Sequence, residues 1–476
     1  MIFKSLLFKN EKSKIKTDMQ VFEDVKLTSL LPENVLSVMS RLASKEDILL
    51  RIEFFKKTDA GLMKLLSALR QRLYKLKEDY AVFERSSKEA EKDCIFSTLL
   101  YDTLCFYKEV TMLDCDCFFA KRFCEVFKGL CDDRFDKAME DTVKLYSDIN
   151  RRYMFTAEQT RVVFSEIKAG GFVSELKTCA DKMGIELTEK SNLNRKISAQ
   201  TCECYSKLYP EAFAKLKALR EKYSSFTDKS VLEYADELDF YISIYELKSR
   251  VEAAKIPTCY PDITDEKKIS ITQAYDITLL TKECDEIIPN DITFEQKESL
   301  RFLVGANGGG KTTYLRNCAV GVIFALNGCF VPARAARVCE LSSVMTHFPS
   351  DERFDSNGRF YDEQSRVEDI LAKADENTLV LLNETYSTTN ESNAQKQTLE
   401  LAKKILNIGL FSIFVTHQKS VFESGIPVLS CIVDENDNNR RTYKIKPINS
   451  ADGSFANDIL EKYSLSEKAL KERFGI

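Results

Sequence analysis

Residues 305–312 read Gly305-Ala306-Asn307-Gly308-Gly309-Gly310-Lys311-Thr312 and fit the pattern G-x-x-x-x-G-K-[ST] without a mismatch. An apolar run, Leu300–Val304, leads into them, and an apolar stretch of helical character, Thr313–Phe324, follows. Strand, glycine loop and helix in that order make a phosphate-binding loop. The glycines let the backbone curl so that its N–H groups point inward at phosphates, at the positive end of a helix dipole. Lys311 adds a full charge beside the β and γ phosphates. Thr312 offers a hydroxyl oxygen to Mg²⁺, a hard cation that prefers oxygen ligands. ATP and magnesium are the expected ligands, with Gly305 through Lys311, Thr312 and Thr313 as the ATP-binding residues.

A P-loop enzyme also needs an acidic group at the end of a neighbouring strand to hold magnesium, and a base or water-positioning group beside it. Leu379-Val380-Leu381-Leu382-Asn383-Glu384 offers both positions with one departure. Asn383 stands where a magnesium-associated Asp is expected. It keeps an oxygen acceptor but lacks the charge, and charged hydrogen bonds are roughly twice as strong as neutral ones. Glu384 remains acidic and is the residue expected to polarise the attacking water, in a slow ATPase. The chain has 2 histidines. One, His417, follows the apolar run Phe411–Val415 and Thr416, where a γ-phosphate sensor would sit at the carboxyl end of a strand. The other, His347, has no comparable context and is assigned no role.

Outward from these motifs, short β-rich runs alternate with helical stretches, the signature of a mostly parallel α/β sheet. Upstream the pattern is helical: Leu62, Leu65, Leu66, Leu69, Leu73, Leu76, Tyr80 and Phe83 recur at three- and four-residue steps along one face. The periodicity lapses between Gly184 and Pro210, resumes from Glu211 to about Lys255, and ends at Pro257 and Pro261. The expected fold is therefore an α-helical region followed by an α/β P-loop NTPase domain. Its expected parts are residues 1–45, of open structure, a helical domain over 46–255 with a small insertion near 184–210, and the ATPase domain over 256–476.

The composition fits a folded chain: 44% of the 476 residues are apolar and 30% charged. The net charge of −5 excludes a globally basic nucleic-acid binder, although DNA contact needs only a local basic surface. Met1–Phe8 is interrupted by Lys4 and has no long apolar core, so it does not read as a secretory signal. Cys318–Ala333 is too short for a membrane span and contains Asn327. A cytoplasmic location is expected, with no membrane partner. The 15 cysteines read as reduced thiols. The spacing of Cys115, Cys117, Cys124 and Cys131 fits no zinc ribbon or finger, and with the looser pair Cys202 and Cys204 they read as packing residues.

Taken together, these pieces resemble the MutS family of DNA mismatch-repair ATPases. The family motif G-P-N-x-G-G-K-[ST]-T is similar to Gly305–Thr313, and Ile288-Pro289-Asn290-Asp291-Ile292 resembles the segment before the first ATPase strand. Gly328-Cys329-Phe330-Val331-Pro332-Ala333 resembles the family's G-x-[YF]-V-P-A element, which generic P-loop proteins have no reason to carry. The resemblance continues through Leu379–Glu384, Thr388-Thr389, Thr416-His417 and Asp452-Gly453-Ser454-Phe455, and more weakly through Tyr234–Pro261 in the helical half.

The resemblance implies an ABC-like ATPase domain with a helical tail, a helical core and lever with a clamp-like tip near 184–210, and a homodimer with composite sites. It implies that Ile287 lies against the adenine, that Asn307 reaches the γ-phosphate or its water, and that Glu384 and His417 serve hydrolysis. The segment Asp355–Arg366 would reach into the partner's ATP site: Phe360 and Glu363 fit it, whereas Gly358 falls where a serine is expected. The chain reads as a short form without the N-terminal mismatch-recognition domain. Phe123-Cys124-Glu125 and Phe164-Ser165-Glu166 match its Phe-x-Glu wedge only as a three-residue coincidence in helical patterns.

Two functions follow. One is an ATP-dependent DNA-binding protein, related to mismatch repair or recombination, that grips duplex or branched DNA through phosphate contacts; Lys190, Arg195 and Lys196 near the tip are candidate contacts, and repair proteins are possible partners. The alternative is a nucleotide-gated dimerising scaffold with little hydrolysis that binds protein partners, which Asn383, Gly358 and the acidic charge favour.

Overall fold

The computed structural model describes residues 4–9, 17–41, 43–114, 116–153, 199–281, 286–348, 356–386, 391–433 and 441–448. Three short helices come first: α1 (Met19–Asp24), α2 (Glu33–Met39) and α3 (Lys45–Lys57). Asp18 starts α1 by accepting a hydrogen bond from the Gln20 N–H, the task of an N-cap carboxylate.

Among the described residues these are followed by α4 (Ala60–Arg85), α5 (Glu89–Thr111), α6 (Phe118–Lys128), α7 (Asp133–Tyr153), α8 (Ala199–Leu208), α9 (Pro210–Tyr223) and α10 (Tyr234–Ala253). In α4, Asp59 caps the first turn, and Leu66, Leu69, Leu73, Leu76 and Tyr80 from the expected apolar face are buried. Pro210 opens α9 at its first turn, where its missing N–H leaves no bond unmade. Phe106, Phe123, Phe127 and Tyr234 pack edge to face and tilted, with ring centroids 5.0–6.2 Å apart. Phe123 is thus a core residue. The sulfur of Cys117 caps α6 and that of Cys124 donates to the Val110 carbonyl at 3.1 Å. Among the described residues no helix is long and apolar enough to cross a membrane.

The α/β part comprises β1 (Asp262–Thr264), β2 (Lys268–Ala274), β3 (Asn290–Glu295), β4 (Leu300–Val304), α11 (Lys311–Leu326), β5 (Ala335–Cys339), β6 (Ser343–His347), α12 (Ser356–Lys373), β7 (Thr378–Asn383), α13 (Glu391–Ile408), β8 (Phe411–Val415), β9 (Val428–Val433) and β10 (Arg441–Ile448). A six-stranded sheet has the order β10-β9-β4-β8-β7-β6, parallel except for β10 at its edge. A four-stranded sheet has the order β1-β5-β2-β3. β7 and β8 are buried along their whole length, which is why they read as continuous apolar runs and not as alternating ones. β8 lies beside β4 and β7 beside β8, so the loops after three adjacent parallel strands converge at one edge of the sheet.

The chain divides into two units, one of residues 1–6 and 57–242, the other of residues 7–56 and 243–476. These boundaries differ from the expected 45 and 255. Ser5 and Leu6 bond Glu237 of α10, which draws residues 4–6 into the helical unit. Residues 7–56 instead complete the α/β unit. Arg51, 1% exposed, donates to the Leu7 carbonyl and to both oxygens of Asn327 at 3.2–3.3 Å, with its guanidinium over the Phe8 ring. Asp24 accepts from the Thr346 hydroxyl at 2.6 Å and from Arg366 at 3.4 Å, and its carbonyl accepts from Arg316. No local periodicity marks such pairings, because each joins residues far apart in sequence.

Candidate functional site

β4 delivers the chain into the glycine loop, and three of its glycines have left-handed φ values: +139° at Gly305, +74° at Gly308 and +97° at Gly310. Crowding holds two positions of the loop, Gly305 and Gly309. A β-carbon at Gly305 would lie 2.9 Å from the Cys431 β-carbon on neighbouring β9, and one at Gly309 would lie 3.0 Å from it. Cys431 is thus the floor of the loop, and burial pushes its thiol up to about 11. Gly310 precedes α11 with no side-chain cap, so the first N–H groups of that helix are left for a ligand.

Lys311 is 4% exposed. Its ammonium donates to the Gly305 carbonyl at 2.8 Å, the Ala306 carbonyl at 3.2 Å and Asn307 Oδ1 at 3.4 Å, and lies 3.8 Å from the Glu384 carboxylate. Burial pulls its pKa below the usual lysine range, against the pull of Glu384. Thr312 Oγ1 donates to Asn383 Oδ1 at 3.4 Å, across from the end of β7. Thr313 is half-buried on α11.

Glu384 occupies the residue after β7 with φ +53°, a conformation costing about 1–2 kcal/mol for a residue with a side chain. Its N–H donates to the Val415 carbonyl at 3.0 Å, so the last pairing of β7 with β8 fixes where the turn begins. His417 Nε2 lies 3.1 Å from Glu384 Oε1. That hydrogen bond, with the charge of Lys311 beyond it, holds the Glu384 carboxyl below the usual glutamate range. The Thr416 N–H donates to the Leu303 carbonyl at 3.1 Å, tying the Thr-His pair to β4.

Ile287 is half-buried in the segment before β3. Nearby Asn290 donates to the Tyr443 carbonyl at 3.0 Å and accepts from the Ile445 N–H at 2.8 Å, fastening that segment to β10. Gly358 and Phe360 lie on α12, the Phe360 side chain outside the described residues, and Glu363 on the same helix is buried. Lys190, Arg195 and Lys196 lie outside the described residues, as do Thr388-Thr389 and Asp452–Phe455.

The structure also gives His347 a context that sequence reasoning missed. It ends β6, is 1% exposed, and its Nδ1 lies 2.9 Å from the hydroxyl of Thr385, the residue after Glu384. Burial, and then the charge of Arg366, draw its pKa down to about 4. The one available signal was the Thr-His pair, Thr346-His347, which repeats Thr416-His417.

Residues 301–475 match the family model described as MutS domain V, and that span holds the loop, Asn383, Glu384 and His417. That part of the chain is a MutS-type domain. The chain is similar to "DNA mismatch repair protein msh3" of Aspergillus fumigatus, 29% identical over 238 residues, covering 49% of this chain and 20% of that protein. It is also similar to "DNA mismatch repair protein MSH4" of Arabidopsis thaliana, 24% identical over 258 residues, covering 52% of this chain and 32% of that protein. The chain thus spans no more than about a third of the length of these curated relatives. Within the MutS match, Gly328 of the Gly328–Ala333 element has φ +68° and lies against α3. That explains why a glycine stands there.

Proposed function

We propose that this chain is a MutS-family, ATP-dependent DNA-binding protein, related to mismatch repair or recombination, whose grip on DNA is switched by ATP binding and hydrolysis. The observation that carries the reading is the placing of Glu384 between Lys311, at 3.8 Å, and His417, at 3.1 Å, where the loops after three neighbouring strands meet. In this reading Lys311 exchanges its bonds to the loop carbonyls for phosphate oxygens. Glu384, ionised at neutral pH, takes or orients the proton of the attacking water, and His417 aligns that carboxylate. Ile287 and Asn307 would face the base and the terminal phosphate, and the domain would have the ABC-like form.

Magnesium fits the donor set: the Thr312 hydroxyl and the Asn383 amide oxygen are hard ligands facing each other at 3.4 Å. When bound, magnesium neutralises phosphate charge. The mismatch-repair names of the msh3 and MSH4 relatives support DNA as the partner. A homodimer with shared sites, completed by the segment carrying Gly358, Phe360 and Glu363, goes with the reading, as do cytoplasmic location and DNA contacts from Lys190, Arg195 and Lys196.

Steady-state ATP hydrolysis with and without branched and linear duplex DNA tests it. Turnover that rises with DNA and is lost in Glu384→Gln supports the proposal. Tight ATP binding with no turnover and no salt-dependent DNA binding overturns it in favour of the nucleotide-gated scaffold, which the uncharged Asn383 favours.

A further inference from the structure

We propose that His347 is a positioning residue for Glu384, acting through the hydroxyl of Thr385. The inference rests on the catalytic reading of Glu384. The turn after β7 holds two side-chain-bearing residues in left-handed backbone, Glu384 at φ +53° and Tyr386 at φ +67°, with Thr385 between them. Such a turn keeps its shape only where its surroundings over-determine it. On the β8 side the Glu384 N–H is tied to the Val415 carbonyl at 3.0 Å. On the β6 side the tie is the 2.9 Å bond between Thr385 Oγ1 and His347 Nδ1.

Both partners of that second bond are buried, His347 at 1% and Thr385 at 4% exposure, so water cannot replace either one if it is lost. The register explains why His347 reaches: it pairs with Leu382 on β7, which places it level with the start of the turn. β6 is itself braced, since the neighbouring Thr346 hydroxyl donates to Asp24 at 2.6 Å. Without the His347 bond the peptide after Glu384 is free to turn out of its left-handed conformation. The carboxylate then leaves the 3.1 Å contact with His417. The glycine loop, which carries the phosphate contacts, is untouched by this change, so the loss falls on turnover and not on ATP affinity.

The test uses the full chain and two readouts. In steady-state ATP hydrolysis, His347→Leu and Thr385→Val each lower kcat about tenfold or more with KM within twofold. Thr385→Ser, which keeps the hydroxyl, stays within twofold of the parent, and the double variant is no slower than the worse single one, because both remove the same bond. In histidine-ring NMR, which contains signals from only 2 histidines, Thr385→Val shifts the His417 ring signal and Thr385→Ser leaves it in place. An unmoved His417 signal in folded Thr385→Val, or equal losses in Thr385→Ser and Thr385→Val, overturns the proposal. If the parent chain does not hydrolyse ATP, the ATPase reading fails, and the ring signal alone still decides whether His347 and Thr385 hold Glu384 in place.

Discussion

Gly328 lies against the backbone of Ile48: a β-carbon added at Gly328 would come within 2.7 Å of the Ile48 carbonyl oxygen. The same atom would be 2.7 Å from the Arg51 β-carbon, and the residue has φ +68°. Crowding by backbone has no flexible end to yield. Gly328→Ala is therefore expected to destabilise the α/β unit by about 2–4 kcal/mol, combining overpacking with the left-handed penalty. Urea denaturation monitored by tyrosine fluorescence, with limited proteolysis of residues 7–56, checks it; an unchanged midpoint counts against the packing described.

Glu384→Gln keeps the shape of the side chain and removes its charge. Turnover should fall by roughly 10²–10⁴-fold, the range for loss of a general base, while ATP affinity changes by a few-fold at most. Parallel measurement of hydrolysis and equilibrium binding of a fluorescent ATP analogue separates the two effects.

Asn383→Asp restores a charged oxygen opposite Thr312, 3.4 Å from its hydroxyl. The magnesium concentration giving half-maximal ATPase rate should fall about tenfold, equivalent to about 1.4 kcal/mol. A rise in that concentration would show that the Thr312–Asn383 pair is not where the ion binds.

Acid should weaken the fold through His347. Its pKa is drawn down from 6.5 to about 4 by burial, so the unfolded chain binds the proton first as pH falls. Stability is then lost progressively between about pH 6.5 and 4, by about 2 kcal/mol at pH 5. Glu384 acts in a lower window: its depressed pKa gives a contribution present above the usual glutamate value of 4.5 and lost only below it. Denaturation midpoints at pH 7 and pH 5 should differ less in His347→Asn than in the parent.

The chemistry of the loop was legible because its residues are adjacent in sequence. Gly305 to Thr312 carry their own pattern, and the buried strands carrying Asn383, Glu384 and the Thr416-His417 pair read as apolar runs with polar ends. What escaped needed neighbours in space. Cys431 matters to the loop only because β9 lies beside β4, and His347 gains its partner only because β6 lies beside β7. The four-stranded sheet and the place of residues 7–56 depend on pairings that leave no periodic trace. Lys190, Arg195 and Lys196, the candidate DNA contacts, lie outside the described residues.

The bond between Arg51 and Asn327 joins residues 276 positions apart. At a synthesis rate of about 5–20 residues per second, Arg51 leaves the ribosome roughly 10–60 s before Asn327 exists. During most of that interval Phe8, Phe22, Phe54 and Phe55, all buried in the finished protein, lack the C-terminal part of their unit, residues 243–476, to cover them. The helical unit must then be made as an insertion between the two halves of its neighbour. A chaperone holding the first fifty-odd residues is therefore expected to raise the yield of folded protein, and an expression fragment beginning after residue 256 is expected to be insoluble unless residues 7–56 are supplied with it.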